Sequence, residues 1–444
     1  MKIAVMGTGY VGLVTGVCLA DIGHEVTCID VDIAKVSLLR EGKSPIFEPG
    51  LQEMIKKNIS EDRLRFTNDI DEGMDQAKVI YIAVGTPSNV DGTADLKAIE
   101  EAAISIARYL KHDVVVVTKS TVPIGTNERI KGIIEENKVN DSVTIDIVSN
   151  PEFLREGSAI NDTFNSDRII IGSDNEIAAD IIEEINKPFQ VPIYRTSIRS
   201  AEMIKYASNA FLATKISFIN EIANLCEKLD ADIIEVAQGM GMDKRIGPHF
   251  LNAGIGYGGS CFPKDTNALM QIAGNADHDF DLLKSVIEVN KKQQEILVEK
   301  ALHRFGSLKG LKVAVLGLSF KPNTDDVREA ASIPVINSLT QQGVKVVAYD
   351  PVATENAKGM LPGTVHFSNS IDDAILNVDC AFILTEWPEI VSFKLNKYSS
   401  YMKEPVIFDG RNCYSREEAE YSGIEYYSIG RKTVYPTLVS SYKK

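Results

Sequence analysis

The sequence predicts an α/β protein with two doubly wound parallel sheets, joined by a long central helix and a helical middle domain. Short apolar, β-branched runs alternate with helical patterns in the first third of the chain and again in the last third. From about Ser200 to Leu229, apolar residues recur instead at three- and four-residue steps, which predicts one sustained helix. Alternating strands and helices are typical of parallel sheets with helices on both faces.

The predicted strands fall into two blocks along the sequence, one for each sheet. Those of the first block are Ile3 to Met6, Glu25 to Ile29, Val79 to Val84, Val114 to Thr118 and Ile145 to Val148. Those of the second block are Leu311 to Leu316, Val344 to Tyr349, Cys380 to Leu384 and Val406 to Phe408. A chain of 444 residues is expected to form about three domains. We place them at 1–196, 197–300 and 301–444.

Composition and charge exclude several classes of protein. Hydrophobic residues make up 44% of the chain and charged residues 25%, as in ordinary globular proteins. The formal net charge of -15 would repel nucleic acid. The apolar runs are shorter than a membrane helix, and strand-like residues directly after Met1 leave no room for a signal peptide. Six dispersed cysteines favour a reducing compartment, so we expect a cytoplasmic protein without membrane or nucleic-acid partners.

The first predicted strand runs into Gly7-Thr8-Gly9-Tyr10-Val11-Gly12, a glycine fingerprint that opens a helix. Its glycines permit a tight turn, close approach of a pyrophosphate and close packing of helix on strand, as in Rossmann-like domains. Asp30 ends the second strand, where a carboxylate can accept hydrogen bonds from a ribose. We therefore predict NAD rather than NADP. FAD, or a glycine turn in an unrelated α/β protein, stays as an alternative.

The corresponding turn of the second block reads Gly317-Leu318-Ser319-Phe320-Lys321-Pro322. It lacks the second and third glycines but carries a lysine that could hold a phosphate, which indicates a different nucleotide. Arg328 and Arg411 each lie near the end of a strand-like segment and could add phosphate or carboxylate contacts. Solvated surface cations are the alternative interpretation.

The segment Gly254-Ile255-Gly256-Tyr257-Gly258-Gly259-Ser260-Cys261-Phe262-Pro263-Lys264-Asp265 is the most informative part of the chain. Its glycines would let the backbone wrap closely around a ligand, and Cys261 comes just before a predicted helix. Helix-terminal amides and Lys264 would favour a thiolate. Cys261 is the candidate nucleophile, and a structural thiol in a glycine turn is the alternative.

Other polar residues lie where a sheet or helix could present them to a ligand. Lys205 and Asn209 are four residues apart on the predicted long helix, so they share a face and could stabilise an oxyanion. Thr121 and Glu152 follow strand-like runs at the edge where doubly wound sheets bind ligands. Ordinary helix-surface residues and turn caps are the respective alternatives.

Taken together, these segments resemble the UDP-glucose/GDP-mannose dehydrogenase family over essentially the whole chain. The resemblance rests on the glycine fingerprint, Ser120-Thr121-Val122-Pro123, Asn150-Pro151-Glu152-Phe153, Lys205 with Asn209, Gly258 to Asp265, and Phe408-Asp409-Gly410-Arg411. It implies an N-terminal NAD domain, a C-terminal domain for the UDP moiety, and a homodimer formed through the central helix. No metal is implied.

The family reaction is a four-electron oxidation of a sugar alcohol to an acid with two NAD molecules. By resemblance, Cys261 traps the aldehyde as a thiohemiacetal that becomes a thioester, and Lys205 and Asn209 steady the oxyanion. Asp265, Thr121 and Glu152 position water or relay protons.

The resemblance also implies two sets of binding residues. The cofactor set is Gly7, Gly9, Tyr10, Val11, Gly12, Asp30, Lys35, Thr86, Thr121, Glu156, Lys264 and Arg328. The substrate set is Glu152, Phe153, Leu154, Lys205, Asn209, Arg245, Tyr257, Gly258, Phe320, Lys321 and Arg411. Arg245 matches a family arginine that reaches the sugar site of the neighbouring subunit.

Phe262 after the cysteine is more similar to the UDP-glucose branch than to the GDP-mannose branch, where leucine is usual. UDP-N-acetylhexosamine and GDP-mannose stay open as substrates. A two-electron dehydrogenase of small hydroxy acids and a non-enzymatic NAD sensor are alternatives from other classes, but neither accounts for Cys261 in its glycine segment.

Overall fold

A computed structural model describes residues 1–436 of the chain, so the predicted third domain, 301–444, ends in residues outside the described part. The chain divides into two compact units. One comprises residues 1–208 and 267–278, and the other 209–266 and 279–444. The predicted alternation of strands and helices is present in both, which confirms the α/β fold class.

The first unit contains an eight-stranded sheet in the order β3-β2-β1-β4-β5-β6-β7-β8. Its strands are β1 (Lys2–Met6), β2 (Glu25–Ile29), β3 (Leu64–Thr67), β4 (Val79–Ile82), β5 (Val114–Thr118), β6 (Ile145–Ser149), β7 (Ile169–Ser173) and β8 (Ile193–Thr196). Neighbouring strands are parallel except β6 and β7, which pair antiparallel. The strand order reverses direction between β1 and β4, where open α/β sheets bind ligands.

The helices of this unit cover both faces of the sheet. They are α1 (Tyr10–Asp21), α2 (Ile33–Arg40), α3 (Leu51–Ser60), α4 (Ile70–Met74), α5 (Lys97–Tyr109), α6 (Thr126–Asn137), α7 (Ala159–Phe164) and α8 (Glu176–Asn186), followed by a 3₁₀ turn at Lys187–Phe189. Val5 and Val117 belong to the core under one face, and Ala4 and Val116 to the core under the other. Burial on both faces explains why these strands read as continuous apolar runs rather than as alternating ones.

The predicted central helix is present as α9 (Ile198–Leu229), a single helix of 32 residues. The boundary between the two units falls within it, after Ser208. It is followed by α10 (Ile233–Gly241), α11 (Phe262–Asn275), α12 (Asp281–Gln293) and α13 (Ile296–Phe305). The middle of the chain is therefore helical, as predicted.

The second unit contains a six-stranded parallel sheet in the order β11-β10-β9-β12-β13-β14. Its strands are β9 (Lys312–Leu316), β10 (Lys345–Tyr349), β11 (His366–Phe367), β12 (Cys380–Ile383), β13 (Val406–Asp409) and β14 (Glu425–Tyr427). Its remaining helices are α14 (Ser332–Gln341), α15 (Thr354–Lys358), α16 (Ile371–Ala374), α17 (Pro388–Val391), α18 (Leu395–Tyr401) and α19 (Arg416–Tyr421). Val313 and Val315 face one core and Ala314 and Leu316 the other, so this sheet is also buried on both faces.

None of the helices within residues 1–436 is long and apolar enough to cross a membrane.

Candidate active site

The glycine fingerprint forms the predicted turn between β1 and α1. Gly7 has φ +94, and a β-carbon there would lie 2.7 Å from the carbonyl oxygen of Ala83. A β-carbon on Gly12 would collide with the Gly7 carbonyl, so this glycine allows the helix to pack closely on the turn. Nothing lies within 4 Å of the position of a Gly9 β-carbon, so that side of the turn is open to a ligand at the start of a helix.

Asp30 directly follows β2 and is held as an ionised acceptor. Its Oδ2 accepts from the Thr8 amide at 2.8 Å and from Lys35 Nζ at 3.2 Å, and its Oδ1 accepts from the Asp32 amide at 3.0 Å. Burial opposes ionisation, but these hydrogen bonds and the Lys35 ammonium outweigh it and lower the pKa of Asp30. A carboxylate in this place suits a ribose hydroxyl and repels a 2′-phosphate, so the residues present fit NAD.

Other predicted cofactor residues of the first unit are joined by hydrogen bonds. Thr86 Oγ1 donates to the carbonyl of Thr121 at 3.0 Å, which links the loops that follow β4 and β5. The Tyr10 hydroxyl bonds the carboxylate of Glu48, and the Gly157 amide donates to that hydroxyl at 2.7 Å. Val11 is partly buried against the core, and Glu156 is buried. Lys264 and Arg328 belong to the second unit, and their contact with NAD stays a prediction.

Glu152 and Lys205 form a buried ion pair in the first unit. Lys205 Nζ lies 2.9 Å from Glu152 Oε1, and the two side chains are 4% and 5% exposed. The second carboxylate oxygen of Glu152 accepts from the Leu154 amide at 2.8 Å. Phe153 has the Arg168 guanidinium 4.0 Å from its ring centre and Lys205 Nζ 5.3 Å from it. The structure therefore brings together four residues from the predicted substrate set.

Cys261 directly precedes α11, as predicted, in the second unit. Its carbonyl accepts the Asp265 amide at 2.8 Å, and its Sγ lies 3.7 Å from Ser260 Oγ. It is partly exposed. Such a thiol is available to a ligand, and it lies at the N-terminal end of a helix, where a negative charge is favoured.

The other five cysteines are set apart from Cys261 by their surroundings. Burial raises the pKa of Cys18 and Cys28 to about 12 in each case, and it also raises the pKa of Cys226. Burial raises the pKa values of Cys380 and Cys413 further, with help from neighbouring carboxylates. These thiols are held in their protonated, unreactive form.

Asp265 is buried beside two of the predicted catalytic and cofactor residues. Asn209 Nδ2 donates to Asp265 Oδ2 at 2.6 Å, and Lys264 Nζ donates to Asp265 Oδ1 at 2.5 Å. Asp265 is 1% exposed, so the lysine compensates a charge that water cannot reach. The carboxylate in turn fixes the orientation of the Asn209 amide.

Two glycines before Cys261 allow close packing of their loop within the second unit. A β-carbon on Gly258 would collide with the backbone of Glu329, and one on Gly259 would lie 2.7 Å from the Phe320 ring. The Gly259 amide also donates to the Arg328 carbonyl at 3.0 Å. These glycines let the loop pack against the segment 320–330 of its own unit, and their contact with a ligand stays a prediction.

Tyr257 lies in the same loop and is held by α12. Its amide donates to Asn290 Oδ1 at 2.8 Å, and Asn290 Nδ2 donates back to its carbonyl at 3.0 Å. Gln293 donates to the carbonyl of Gly254 at 2.8 Å. The loop that carries Cys261 is therefore fixed by buried amide side chains, which the sequence patterns did not single out.

The turn after β9 differs chemically from the fingerprint. Asp350 occupies the place of Asp30, but its Oδ2 accepts from the Leu318 amide at 2.7 Å and from Trp387 Nε1 at 3.1 Å. Its Oδ1 accepts from two further amides. This carboxylate is hydrogen-bonded within the protein, as that of Asp30 is, so the two turns differ in the glycines and in Lys321 rather than in the carboxylate.

The predicted cations of the second unit are placed as follows. Arg411 donates to the carbonyls of Leu384, Gly256 and Phe320 at 2.9, 3.2 and 3.3 Å. It thus connects the loop that carries Cys261 with the segment that contains Phe320 and Lys321. Lys321 Nζ lies 5.4 Å from the centre of the Phe320 ring.

Two arginines of this unit pair with a carboxylate two residues earlier in the chain. Arg328 is hydrogen-bonded to Asp326, and Arg245 is exposed and bound to Asp243. The exposure of Arg245 agrees with a side chain that serves a neighbouring subunit, a role that stays a prediction.

A glycine fingerprint beside an ionised carboxylate, and a second sheet whose turn lacks the second and third glycines, indicate a dinucleotide-binding protein with a separate domain for another nucleotide. Comparison with models of known protein families identifies the family. The UDP-glucose/GDP-mannose dehydrogenase family's NAD binding domain matches residues 1–190, its central domain 199–292 and its UDP binding domain 314–416. The chain belongs to this family and is an NAD-dependent nucleotide-sugar dehydrogenase, as the motifs predicted.

Individual relatives match over almost their whole length. UDP-glucose 6-dehydrogenase YwqF of Bacillus subtilis (strain 168) is 59% identical, with 98% of this chain and 99% of that protein covered. UDP-glucose 6-dehydrogenase TuaD of the same organism is 51% identical, with 98% and 94% covered. A solved structure of a UDP-glucose dehydrogenase from the hyperthermophilic archaeon Pyrobaculum islandicum is 38% identical in sequence and has a TM-score of 0.91. The match covers 97% of this chain and 98% of that one.

Proposed function

We propose that this chain oxidises UDP-glucose to UDP-glucuronate, with two NAD consumed per sugar and Cys261 as the covalent nucleophile. Full-length relatives named UDP-glucose 6-dehydrogenase at 59% and 51% identity support the substrate. Phe262 after the cysteine supports the UDP-glucose branch over the GDP-mannose branch. The observation that carries the chemistry is the partly exposed Cys261 at the start of α11, in a unit where Asn209 and Asp265 are hydrogen-bonded.

Bound NAD supplies a hydride acceptor. Two successive oxidations require a further group besides that acceptor. In the first, the C6 alcohol loses a hydride and a proton and becomes an aldehyde. The Cys261 thiol then adds to the aldehyde: its sulfur bonds to the carbon, and its proton passes to the carbonyl oxygen. The resulting thiohemiacetal loses a second hydride and a proton to become a thioester. Water attacks the thioester carbon and breaks its bond to sulfur, which releases the acid and the thiol.

The remaining catalytic residues are assigned roles by resemblance to the family. Lys205 and Asn209 donate to the oxygen that becomes negative in the tetrahedral states. Glu152, Asp265 and Thr121 position water and relay the protons that leave. The buried pair of Glu152 with Lys205 and the hydrogen-bonded pair of Asn209 with Asp265 support these assignments.

Binding is divided between the predicted domains under this proposal. The fingerprint, Asp30, Lys35, Thr86 and Glu156 bind NAD within residues 1–196, and Lys264 and Arg328 add to that contact. Phe320, Lys321 and Arg411 bind the nucleotide sugar from residues 301–444. Phe153, Leu154, Tyr257 and Gly258 shape the sugar site, and Arg245 contacts the sugar of the neighbouring subunit.

A homodimer through α9 is part of the proposal. Phe211, Phe218 and Leu225 recur every seven residues, and they are 66%, 50% and 49% exposed. A stripe of large apolar side chains at this spacing is typical of a helix that packs against another helix. The six cysteines are dispersed along the chain without a Cys-x-x-Cys pair, which supports a reducing, cytoplasmic location.

The substrate is tested by measuring NADH release and product with UDP-glucose, UDP-N-acetylhexosamines and GDP-mannose. We expect UDP-glucose to be preferred and to give two NADH per sugar at completion. Preference for another nucleotide sugar with the same ratio would move the substrate within the family. A limit of one NADH per sugar would contradict the four-electron reaction.

A further inference from the structure

The only tryptophan of the chain, Trp387, lies at the ligand-binding edge of the second sheet. The strand order of this sheet reverses direction between β9 and β12, so the segments that follow these two strands flank the crevice where open α/β sheets bind ligands. Trp387 belongs to the segment after β12, and Ser319 belongs to the turn after β9. A contact between these two residues therefore joins the two sides of that crevice.

The indole of Trp387 is held against Ser319 and Asp350. Its Nε1 donates to Ser319 Oγ at 3.0 Å and to Asp350 Oδ2 at 3.1 Å. The same carboxylate oxygen accepts the amides of Leu318 and Ser319 at 2.7 and 3.1 Å. An indole has a single donor, and here it is directed at the turn after β9 and at the carboxylate that holds this turn.

The backbone carbonyls of the same turn are also hydrogen-bonded. Ser332 Oγ donates to the Leu318 carbonyl at 2.5 Å, and Thr385 Oγ1 donates to the Ser319 carbonyl. Gly317 has φ +93, and a β-carbon there would lie 2.6 Å from the amide nitrogen of Thr385. Both amides and both carbonyls of Leu318 and Ser319 thus have buried partners, so the turn is fixed closely against the segment after β12.

This turn leads directly into two residues of the predicted substrate set, Phe320 and Lys321. The Phe320 ring lies beside Gly259, where a β-carbon would be 2.7 Å from the ring. The Phe320 carbonyl accepts from Arg411 Nη2 at 3.3 Å. A displacement of Ser319 would therefore move both predicted ligand residues and the ring that packs on the loop of Cys261.

We propose that Trp387 is a positioning residue for binding of the nucleotide sugar. Its indole N–H fixes the turn at Ser319, and the turn places Phe320 and Lys321 against the uridine diphosphate. The inference rests on the proposed function, because that function assigns Phe320 and Lys321 to the substrate. Trp387 acts through the turn, since its one donor is taken up by Ser319 and Asp350.

The substitution Trp387→Phe keeps an aromatic ring and removes the indole donor. In the full-length protein we expect the dissociation constant of UDP, measured by calorimetry, to rise roughly tenfold, the factor that corresponds to one hydrogen bond. The dissociation constant of NAD should not change, because the glycine fingerprint lies in the first unit. Tyr398→Phe is the matched control, because it removes an aromatic hydroxyl from the same buried cluster, and it should leave both constants unchanged.

A second variant tests the same hydrogen bond from its other side. Ser319→Ala removes the hydroxyl that accepts from the indole, so UDP binding should again weaken while NAD binding is retained. Combined with Trp387→Phe, it should cost less than the product of the two separate factors, because both variants remove one contact. Loss of NAD affinity together with UDP affinity in both single variants would indicate a general loss of fold and would overturn the proposal.

A third measurement separates positioning from a general contribution to the core. Lys321→Ala removes one of the two side chains that the turn places, so a further Trp387→Phe should weaken UDP binding by a clearly smaller factor than it does in the wild type. If Trp387 only stabilises the unit, the factor should be the same in both backgrounds. Equal factors, or an unchanged UDP affinity in Trp387→Phe alone, would overturn the proposal.

These binding measurements need no turnover, so the inference and the proposed function can fail separately. If the coupling between Trp387 and Lys321 is found but UDP-glucose is not oxidised, the proposed oxidation fails and the assignment of Trp387 stands. If UDP-glucose is oxidised to the acid but Trp387→Phe binds UDP as the wild type does, the assignment of Trp387 fails and the proposed function stands.

Discussion

Gly258 tests whether the position of Cys261 depends on close packing of its own loop. In Gly258→Ala, the new β-carbon would lie 2.9 Å from the carbonyl carbon of Glu329 and closer still to its oxygen. Ordinary contact begins at 3.4 Å, so the carbon alone requires a shift of 3.4 − 2.9 = 0.5 Å, and the oxygen requires more. Both partners are backbone, so no flexible side chain can absorb the overlap.

The displacement is therefore on the order of 1 Å, three residues before Cys261, and misplacement of that size can reduce a rate roughly 100-fold. We expect kcat with UDP-glucose to fall by about that factor, and alkylation of Cys261 by iodoacetamide to change in rate. Gly239→Ala is the matched control, because nothing lies within 4 Å of its β-carbon position in α10. Activity of Gly258→Ala within threefold of the wild type would refute the packing argument.

Three further predictions concern other parts of the chain. Glu152→Gln or Lys205→Met should each destabilise the protein by about 3 kcal/mol in denaturant titration, because each removes one charge of a buried ion pair. The double variant should cost clearly less than the sum, and additive losses would contradict a coupled pair. Since the pKa of Asp30 is lowered, its stabilising contribution is present above its unfolded pKa and is lost only as pH falls through the lower folded value. Asp30 therefore stays ionised from pH 7 to pH 5, and NAD affinity measured by calorimetry should not change over that range. A tenfold loss of affinity would argue against an ionised Asp30. Phe211→Glu with Phe218→Glu should convert a dimer into monomers in sedimentation velocity, and an unchanged sedimentation coefficient would exclude this face of α9.

The fold could be predicted because its signals are local. Buried parallel strands require continuous apolar runs, and the turn after β1 requires glycine at Gly7 and Gly12, so both features are visible in the residue order. Short or half-exposed strands such as β8 and β11 carry too few apolar residues to be recognised, and none of the patterns indicated that β7 would run antiparallel to β6.

The site was predictable only where a residue's role depends on its neighbours in sequence. Cys261 stands out because it precedes a helix, whereas Asn290 holds the Cys261 loop from α12, and Arg168, directly before β7, contacts Phe153. Those contacts depend on how segments far apart in the sequence pack together, so the spacing of residues along the sequence does not predict them. Gly258 and Gly259 show the same limit, because their partners are in the segment 320–330.

The central claim is that Cys261 carries the sugar between the two oxidations. It is tested most directly by incubating Cys261→Ala with UDP-glucose and NAD and measuring UDP-glucuronate. Cys413→Ala, at the other partly exposed cysteine, is the control. We expect full yield from the control and no UDP-glucuronate from Cys261→Ala, with UDP-glucose binding retained. Full yield from Cys261→Ala would contradict the covalent mechanism.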